Sequence, residues 1–187
     1  MRVLLADDEA VIRMGLRAML EDAGHQVIAA TDGKSALALA RTAGPDLIIL
    51  DIKMPGMDGL ETARQIMLNR PAPIVMLTAY SQRDLIAQAQ AASVFAYLVK
   101  PVKEELLTPT LDLALVRFKE WQRVQREVKD LQASLEVRDA VERAKRALME
   151  REHLTEQQAY LKIHRQSRAR RVSMQKIAAE VLNGKKP

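Results

Sequence analysis

Five polar side chains in this sequence stand directly after, or at the end of, short apolar runs, where a strand would leave them at its carboxyl end. Asp7 and Asp8 follow residues 2–6, Asp51 follows 47–50, Thr78 follows 73–77 and Lys100 follows 94–99. Three carboxylates brought together repel one another and persist only beside a cation. Oxygen donors without a neighbouring His or Cys select a hard ion. Mg²⁺ suits this set because it needs few protein ligands and keeps water. With a metal and a lysine ammonium neutralising the oxygens in transit, one carboxylate can attack and accept a phosphoryl group. A Mg²⁺ or Ca²⁺ site without chemistry fits the same spacing, and the residues alone leave that choice open.

The chemistry requires those run ends to meet, and the pattern between them supplies the means. Residues 47–50 are apolar on both faces, which suits a buried parallel strand, and Asp51, Pro55, Gly56 and Gly59 stop the run. Ile12, Leu16, Met19 and Leu20 recur at helical spacing after the first strand, and Gly24 ends that helix. Residues 26–30 read as the second strand, with Thr31, Asp32 and Gly33 opening a helix that carries Leu37 and Leu39. Asp58 followed by Glu61 starts the next helix, which runs to about Asn69. Strands over 73–77 and 94–99 flank a helix over 84–92. Strands alternating with helices predict an α/β fold with a five-stranded parallel sheet wound on both faces. The flavodoxin-like order 2-1-3-4-5 puts its switch point between strands one and three. Asp7, Asp8 and Asp51 then share that point, with Thr78 and Lys100 on the same edge.

Composition bounds the rest. The chain has 187 residues, 48% of them hydrophobic, enough for one full domain and a smaller one, and without the signature of disorder. No apolar run approaches the ~20 residues of a membrane span, and the N-terminus enters a strand without a signal peptide. A soluble cytoplasmic protein without membrane partners is expected. The absence of cysteine excludes disulfides, thiolate metal sites and cysteine nucleophiles. An independent enzyme is not expected, for there is no P-loop or nucleophile–base pair, and His25, His153 and His164 are scattered. Through Phe118 there are 12 Lys+Arg against 14 Asp+Glu; from Lys119 onward the count is 17 against 10. That asymmetry points to an acidic regulatory half and a basic half facing a polyanion.

Past Pro101 the pattern turns helical, with Pro109 placed for a first turn or a kink. Trp121, Val124, Val128, Leu131 and Leu135 step by 3 and 4 as a heptad seam, after which apolarity moves to Val137, Val141, Ala144 and Leu148. The seam serves a parallel dimer, or else lets the helix fold back on its own C-terminal helices; Trp121 reads as a seam or docking residue. The helix continues to Arg151. Thr155 with Gln158 forms a capping box for a helix with Ala159, Tyr160 and Ile163 on its inner side, and Ser173 caps a last helix bearing Met174, Ile177, Ala178, Val181 and Leu182. Lys145, Arg146, Arg165, Arg168, Arg170, Arg171 and Lys176 are expected at exposed positions of this three-helix all-α unit. They make either a solvated face or phosphate contacts with a nucleic acid. Tyr160 can stack on an unpaired base, although its register with Ile163 favours core packing.

Asp7-Asp8, Asp51, the run Met54-Pro55-Gly56-Met57-Asp58-Gly59, Thr78, Tyr97 and Lys100-Pro101 together resemble the receiver domain of two-component response regulators, over about residues 1–118. The resemblance implies that Asp51 is the phosphoacceptor, that Asp8, Asp51 and the Lys53 carbonyl bind Mg²⁺ with Asp7 in support, and that a histidine kinase is the partner. It further implies that Thr78 bonds the phosphoryl group, Lys100 pairs with it and Tyr97 switches rotamer with Thr78. Ser93 stands where the family usually has Gly. Glu142-Arg-Ala-Lys145, Thr155-Glu156, Ala159-Tyr160, Arg165-Gln-Ser167 and Ser173-Met-Gln-Lys-Ile-Ala178 resemble the ANTAR output domain of AmiR/NasR-type antitermination regulators. Arg146 and His153 replace glycines common in that family; His153 reads as a C-cap. The expected organisation is a receiver over 1–118, a helical linker or coiled coil over 119–136 and an ANTAR-like RNA-binding unit over 137–187. The resemblance implies binding of leader-transcript hairpins and antitermination, with a homodimer through the seam from Trp121 to Leu135. A DNA-binding response regulator and a signalling adaptor acting through the coiled coil are the rival readings.

Overall fold

The computed structural model describes residues 1–79 and 94–184; the helix expected over 84–92, and Ser93, lie outside the described residues. In chain order the elements are β1 (Arg2–Ala6), α1 (Ala10–Asp22), β2 (Gln26–Ala30), α2 (Gly33–Thr42), β3 (Leu47–Asp51), α3 (Gly59–Asn69), β4 (Ile74–Thr78), β5 (Ala96–Val99), α4 (Glu104–Glu152), α5 (Glu156–Arg170) and α6 (Met174–Leu182). They form two compact units, Met1–Gln122 and Arg123–Pro187.

The first unit is a five-stranded sheet of order β2-β1-β3-β4-β5, with every neighbouring pair parallel, as the alternating pattern predicts. Each residue of β3 is buried, because helices cover both faces. Alternate residues feed opposite layers. Leu4, Ile48, Leu50 and Met76 pack with Ala36 and Ala40 of α2 and Ala63 and Ile66 of α3. Val3, Leu5, Ile49 and Leu77 pack with Leu16 and Leu20 of α1 and Leu107, Leu111, Ala114 and Phe118 of α4. A fully buried Leu or Ile stabilises by about 1.5–3 kcal/mol, so these two layers hold the unit far more firmly than helix propensity does.

Helix starts are set locally. Asp32 accepts from the Ser35 backbone N–H at 2.9 Å and Asp58 from that of Glu61 at 2.7 Å. Glu61 does not complete a capping box; its carboxylate takes Gln65 and Arg64 instead. Pro109 lies inside α4, in its second turn.

Trp121 belongs to the first unit's core and not to a seam. Its ring stacks on Phe118 with centroids 5.7 Å apart and meets Phe95 edge-on at 6.2 Å. Phe118 sits three residues earlier on the same helix face, so the aromatic is taken up locally. The other seam residues remain open: Val124 is 43% exposed, Val128 43%, Leu131 63% and Leu135 55%.

In the second unit, the end of α4 packs with α5 and α6 through Val141, Ala144, Leu148, Ala159, Ile163, Ile177, Ala178 and Val181. The Thr155–Gln158 capping box opens α5, and Ser173 caps α6 by accepting from the Lys176 N–H. His153, at φ 52°, takes the left-handed conformation just past α4 that a glycine would otherwise fill. Arg146 is exposed.

Candidate functional site: an acidic cleft and a basic helical face

The sheet register assembles the first site. Ala6 pairs with Leu50, so the residues that follow, Asp7 and Asp51, stand side by side. Asp51 pairs with Leu77, which puts Thr78 one step beyond, and Thr78 pairs with Val99, which puts Lys100 one step beyond that. Asp8, Glu9, Asp51, Ile52, Lys53, Thr78, Ala79 and Lys100 line the resulting cleft of about 260 Å³. Asp7 lies beneath it, fully buried.

Lys100 ties the carboxylates together. Its Nζ is 2.8 Å from Asp7 Oδ2, 3.1 Å from Asp51 Oδ1 and 3.6 Å from Glu9 Oε1. Burial opposes the Lys100 charge, but hydrogen bonds to Asp7 and Asp51 outweigh it and hold the ammonium above its ordinary pKa. Burial also pushes the Asp51 carboxyl up, and the charges of Asp7 and Asp8 add to this against the pull of Lys100. Carboxylate oxygens of Asp7, Asp8 and Asp51 lie within 4.8 Å of one another. Three carboxylates and one ammonium leave two negative charges uncompensated, and the donors are all oxygen. That set fits a divalent hard cation.

Residues that sequence reasoning passed over brace this cleft. Arg13 Nη1 donates to the Asp7 carbonyl at 2.7 Å, and the Glu9 N–H donates to Asp7 Oδ1 at 2.8 Å, fixing the turn after β1. A Cβ on Gly59 would stand 2.0 Å from the Asp51 carbonyl oxygen, so only glycine lets α3 start against the end of β3. The position of Gly59 within 54–59 carried that signal; the Arg13 brace had none. Tyr97 is not among the residues lining the cleft; it packs against the core layer of Leu4 and Met76. Its hydroxyl is buried with no hydrogen-bond partner among the described residues, and burial pushes its pKa up.

The basic residues divide. Lys145 is not exposed: only 7% of it reaches solvent, and its Nζ lies 2.8 Å from Glu142 and 2.6 Å from Glu156. It is buried beside Ala144 and turns its ammonium to two exposed carboxylates at the edge of the three-helix core, which removes it from any phosphate-contact face. Arg170 is engaged by Glu180 through two hydrogen bonds. Arg146, Arg165, Arg168, Arg171 and Lys176 are exposed and form no salt bridge among the described residues. Tyr160 corrects the core-packing expectation. Ala159 and Ile163, four apart, take the buried row, and Tyr160, one step round the helix, is 43% exposed.

Comparison with known proteins finds a family for each part of the chain. Residues 3–112 match the family model of the response regulator receiver domain, and residues 129–182 match that of the ANTAR domain. The transcriptional regulatory protein PdtaR of Mycobacterium tuberculosis is 46% identical over 182 residues, covering 97% of this chain and 89% of PdtaR. Protein PilH of Pseudomonas aeruginosa is 36% identical over 117 residues, 61% of this chain and 97% of its own. Among solved structures, the chemotaxis protein CheY4 of Vibrio cholerae superposes with a TM-score of 0.59 at 37% identity, over 61% of this chain and 98% of CheY4. No helix among the described residues is long and apolar enough to cross a membrane. With a receiver fold at one end and an RNA-binding output module at the other, the chain belongs to the two-component response regulators that carry a C-terminal ANTAR domain.

Proposed function

We propose that Asp51 accepts a phosphoryl group from a partner histidine kinase in the cytoplasm, and that this modification controls RNA binding and transcription antitermination by the C-terminal unit. The observation that supports this best is the Lys100 ammonium set between Asp7 and Asp51 at the head of an open cleft. An Asp51 oxygen attacks phosphorus, the phosphorus–nitrogen bond to the kinase imidazole breaks, and its electron pair returns to the ring nitrogen. Lys100 pairs with the phosphoryl oxygens, and the Thr78 hydroxyl on the cleft wall donates to one of them. Asp7, Asp8, Asp51 and the Lys53 carbonyl are the residues that would hold Mg²⁺, which when bound neutralises charge on the transferring group. Tyr97, its hydroxyl without a hydrogen-bond partner among the described residues, is the residue set to reorient once Thr78 is engaged. Dimerisation through Val124, Val128, Leu131 and Leu135 would join two output units, and exposed Arg146, Arg165, Arg168, Arg171 and Lys176 would contact RNA phosphates.

The test is a salt-titrated binding assay on stem-loop RNA and duplex DNA, with and without beryllofluoride and Mg²⁺, alongside labelling by acetyl phosphate. Labelling lost in Asp51→Asn and RNA binding strengthened by beryllofluoride are expected. Retained labelling would remove Asp51 as acceptor, and preference for duplex DNA would replace the antiterminator with a DNA-binding regulator.

A further inference from the structure

Tyr160 is the large aromatic the second unit leaves outside its core. Tyrosine on a small three-helix unit would ordinarily bury its ring. Here Ala159 and Ile163 occupy the buried row, and the ring lies on the surface against His164, one turn on, with centroids 6.1 Å apart and planes 18° from parallel. Arg168 continues the same i, i+4 row, and Arg171 follows where α5 ends. Both are exposed and without a carboxylate partner among the described residues.

We infer that the Tyr160–His164 pair is a stacking platform for one unpaired base of an RNA loop. Resting on the RNA-binding reading above, this makes α5 the element that tells a loop from a duplex. A base laid on Tyr160 extends an existing stack of two rings, while Arg168 and Arg171 meet the phosphates that flank it. Every base offers a π-face, so the platform tolerates sequence. A duplex keeps its bases stacked inside and gains only from the arginines.

The rival account is that Tyr160 and His164 merely steady α5 as an i, i+4 pair. The two separate when the full-length protein, in Mg²⁺ and beryllofluoride, is titrated with a hairpin bearing an all-adenosine loop and with the same stem as a blunt duplex. Tyr160→Ala should weaken hairpin binding about 5- to 150-fold, the loss of one base–aromatic stack, and leave duplex binding unchanged. Tyr160→Phe should retain hairpin binding, and Arg168→Ala should weaken both RNAs together. Should the alanine variant unfold by circular dichroism, His164→Ala carries the test, with a selective loss for the hairpin expected. Equal weakening of hairpin and duplex by Tyr160→Ala, or no weakening of either, overturns the platform. If the unmodified protein binds neither RNA, the RNA-binding reading falls and takes the platform with it. That result is distinct from a hairpin complex indifferent to Tyr160.

Discussion

Replacing Asp51 by asparagine should make the receiver unit more stable, not less, when no metal is present. Asp51 is 5% exposed, with like charges on Asp7 and Asp8 within 4.8 Å and the Lys100 ammonium at 3.1 Å. At an effective dielectric near 20, each repulsion, acting over 4.8 Å or less, is worth about 3.5 kcal/mol or more before solvent screening, and the attraction about 5 kcal/mol. Exposed Asp8, being screened, contributes less than that, and burial of the Asp51 charge adds to the penalty. Asparagine keeps the shape and leaves Lys100 its contact with Asp7 at 2.8 Å. The net gain expected is about 1–2 kcal/mol, or roughly 3–8 °C in Tm for a domain of this size. The pH dependence has a definite sign. Burial raises the Asp51 pKa above its ordinary 3.8, so below that value the group is neutral folded or unfolded, and the two proteins should be equally stable. As pH climbs, the unfolded chain ionises first, and wild-type stability is lost until the folded group also ionises. The advantage of Asp51→Asn should therefore appear above pH 4 and reach a plateau. Mg²⁺ should then reverse it by binding folded wild type preferentially. Trp121, the single tryptophan, packs on Phe118 and Phe95, so its fluorescence in urea reports this unit. An Asp51→Asn protein less stable than wild type at pH 7.5 in EDTA would mean that the Lys100 pair outweighs the repulsion. The charge argument for the cleft would then be wrong.

Gly59→Ala should cost about 1–3 kcal/mol by overpacking and lower both Mg²⁺ affinity and acetyl phosphate labelling, because the methyl carbon meets the Asp51 carbonyl oxygen at 2.0 Å. Normal labelling in that variant would show that the end of β3 can move without consequence. Lys145→Met should leave the salt dependence of RNA binding unchanged, whereas Arg168→Ala should reduce the log–log slope by about 1. A slope reduced by Lys145→Met would return that lysine to the phosphate-contact face. Leu131→Asp should abolish dimers in light scattering while labelling at Asp51 proceeds; a dimer that survives rules out this seam.

The strand ends were legible because buried parallel strands are short and apolar throughout, so a polar residue closing one is conspicuous; Asp51 after 47–50 is the clearest instance. What placed the five groups on one edge, the pairing of Ala6 with Leu50 and Thr78 with Val99, is long-range and could only be inferred through topology. Two misreadings share a cause. Lys145 read as surface because lysine rarely buries, yet its partner Glu156 sits 11 residues away across a helix end, a tertiary fact with no local trace. Tyr160 read as core because it stands near Ile163, yet one residue is 100° of helix, and the narrow unit buries only the row of Ala159 and Ile163. Trp121 shows the limit of periodicity: it fits the heptad, but Phe118 and Phe95 claim it first.

That loss shortens the seam and changes what it can do. The four remaining side chains, Val124, Val128, Leu131 and Leu135, are 43–63% exposed, so burying them against a second copy gains about 1 kcal/mol apiece. Eight such side chains in a parallel dimer give about 8 kcal/mol, against association costs of about 4–15 kcal/mol. A seam of about two heptads is thus poised near balance, neither holding a permanent dimer nor forbidding one. Coupling of ~1–3 kcal/mol between the Asp51 cleft and dimerisation would move such an equilibrium 5- to 150-fold, a graded response. A nearly complete switch needs about 10⁴-fold, which this seam alone does not supply. RNA offering two binding sites would close the gap, since the second output unit then binds at high effective concentration. On these magnitudes a receiver phosphorylated as proposed and a transcript with two sites would act together on one marginal dimer.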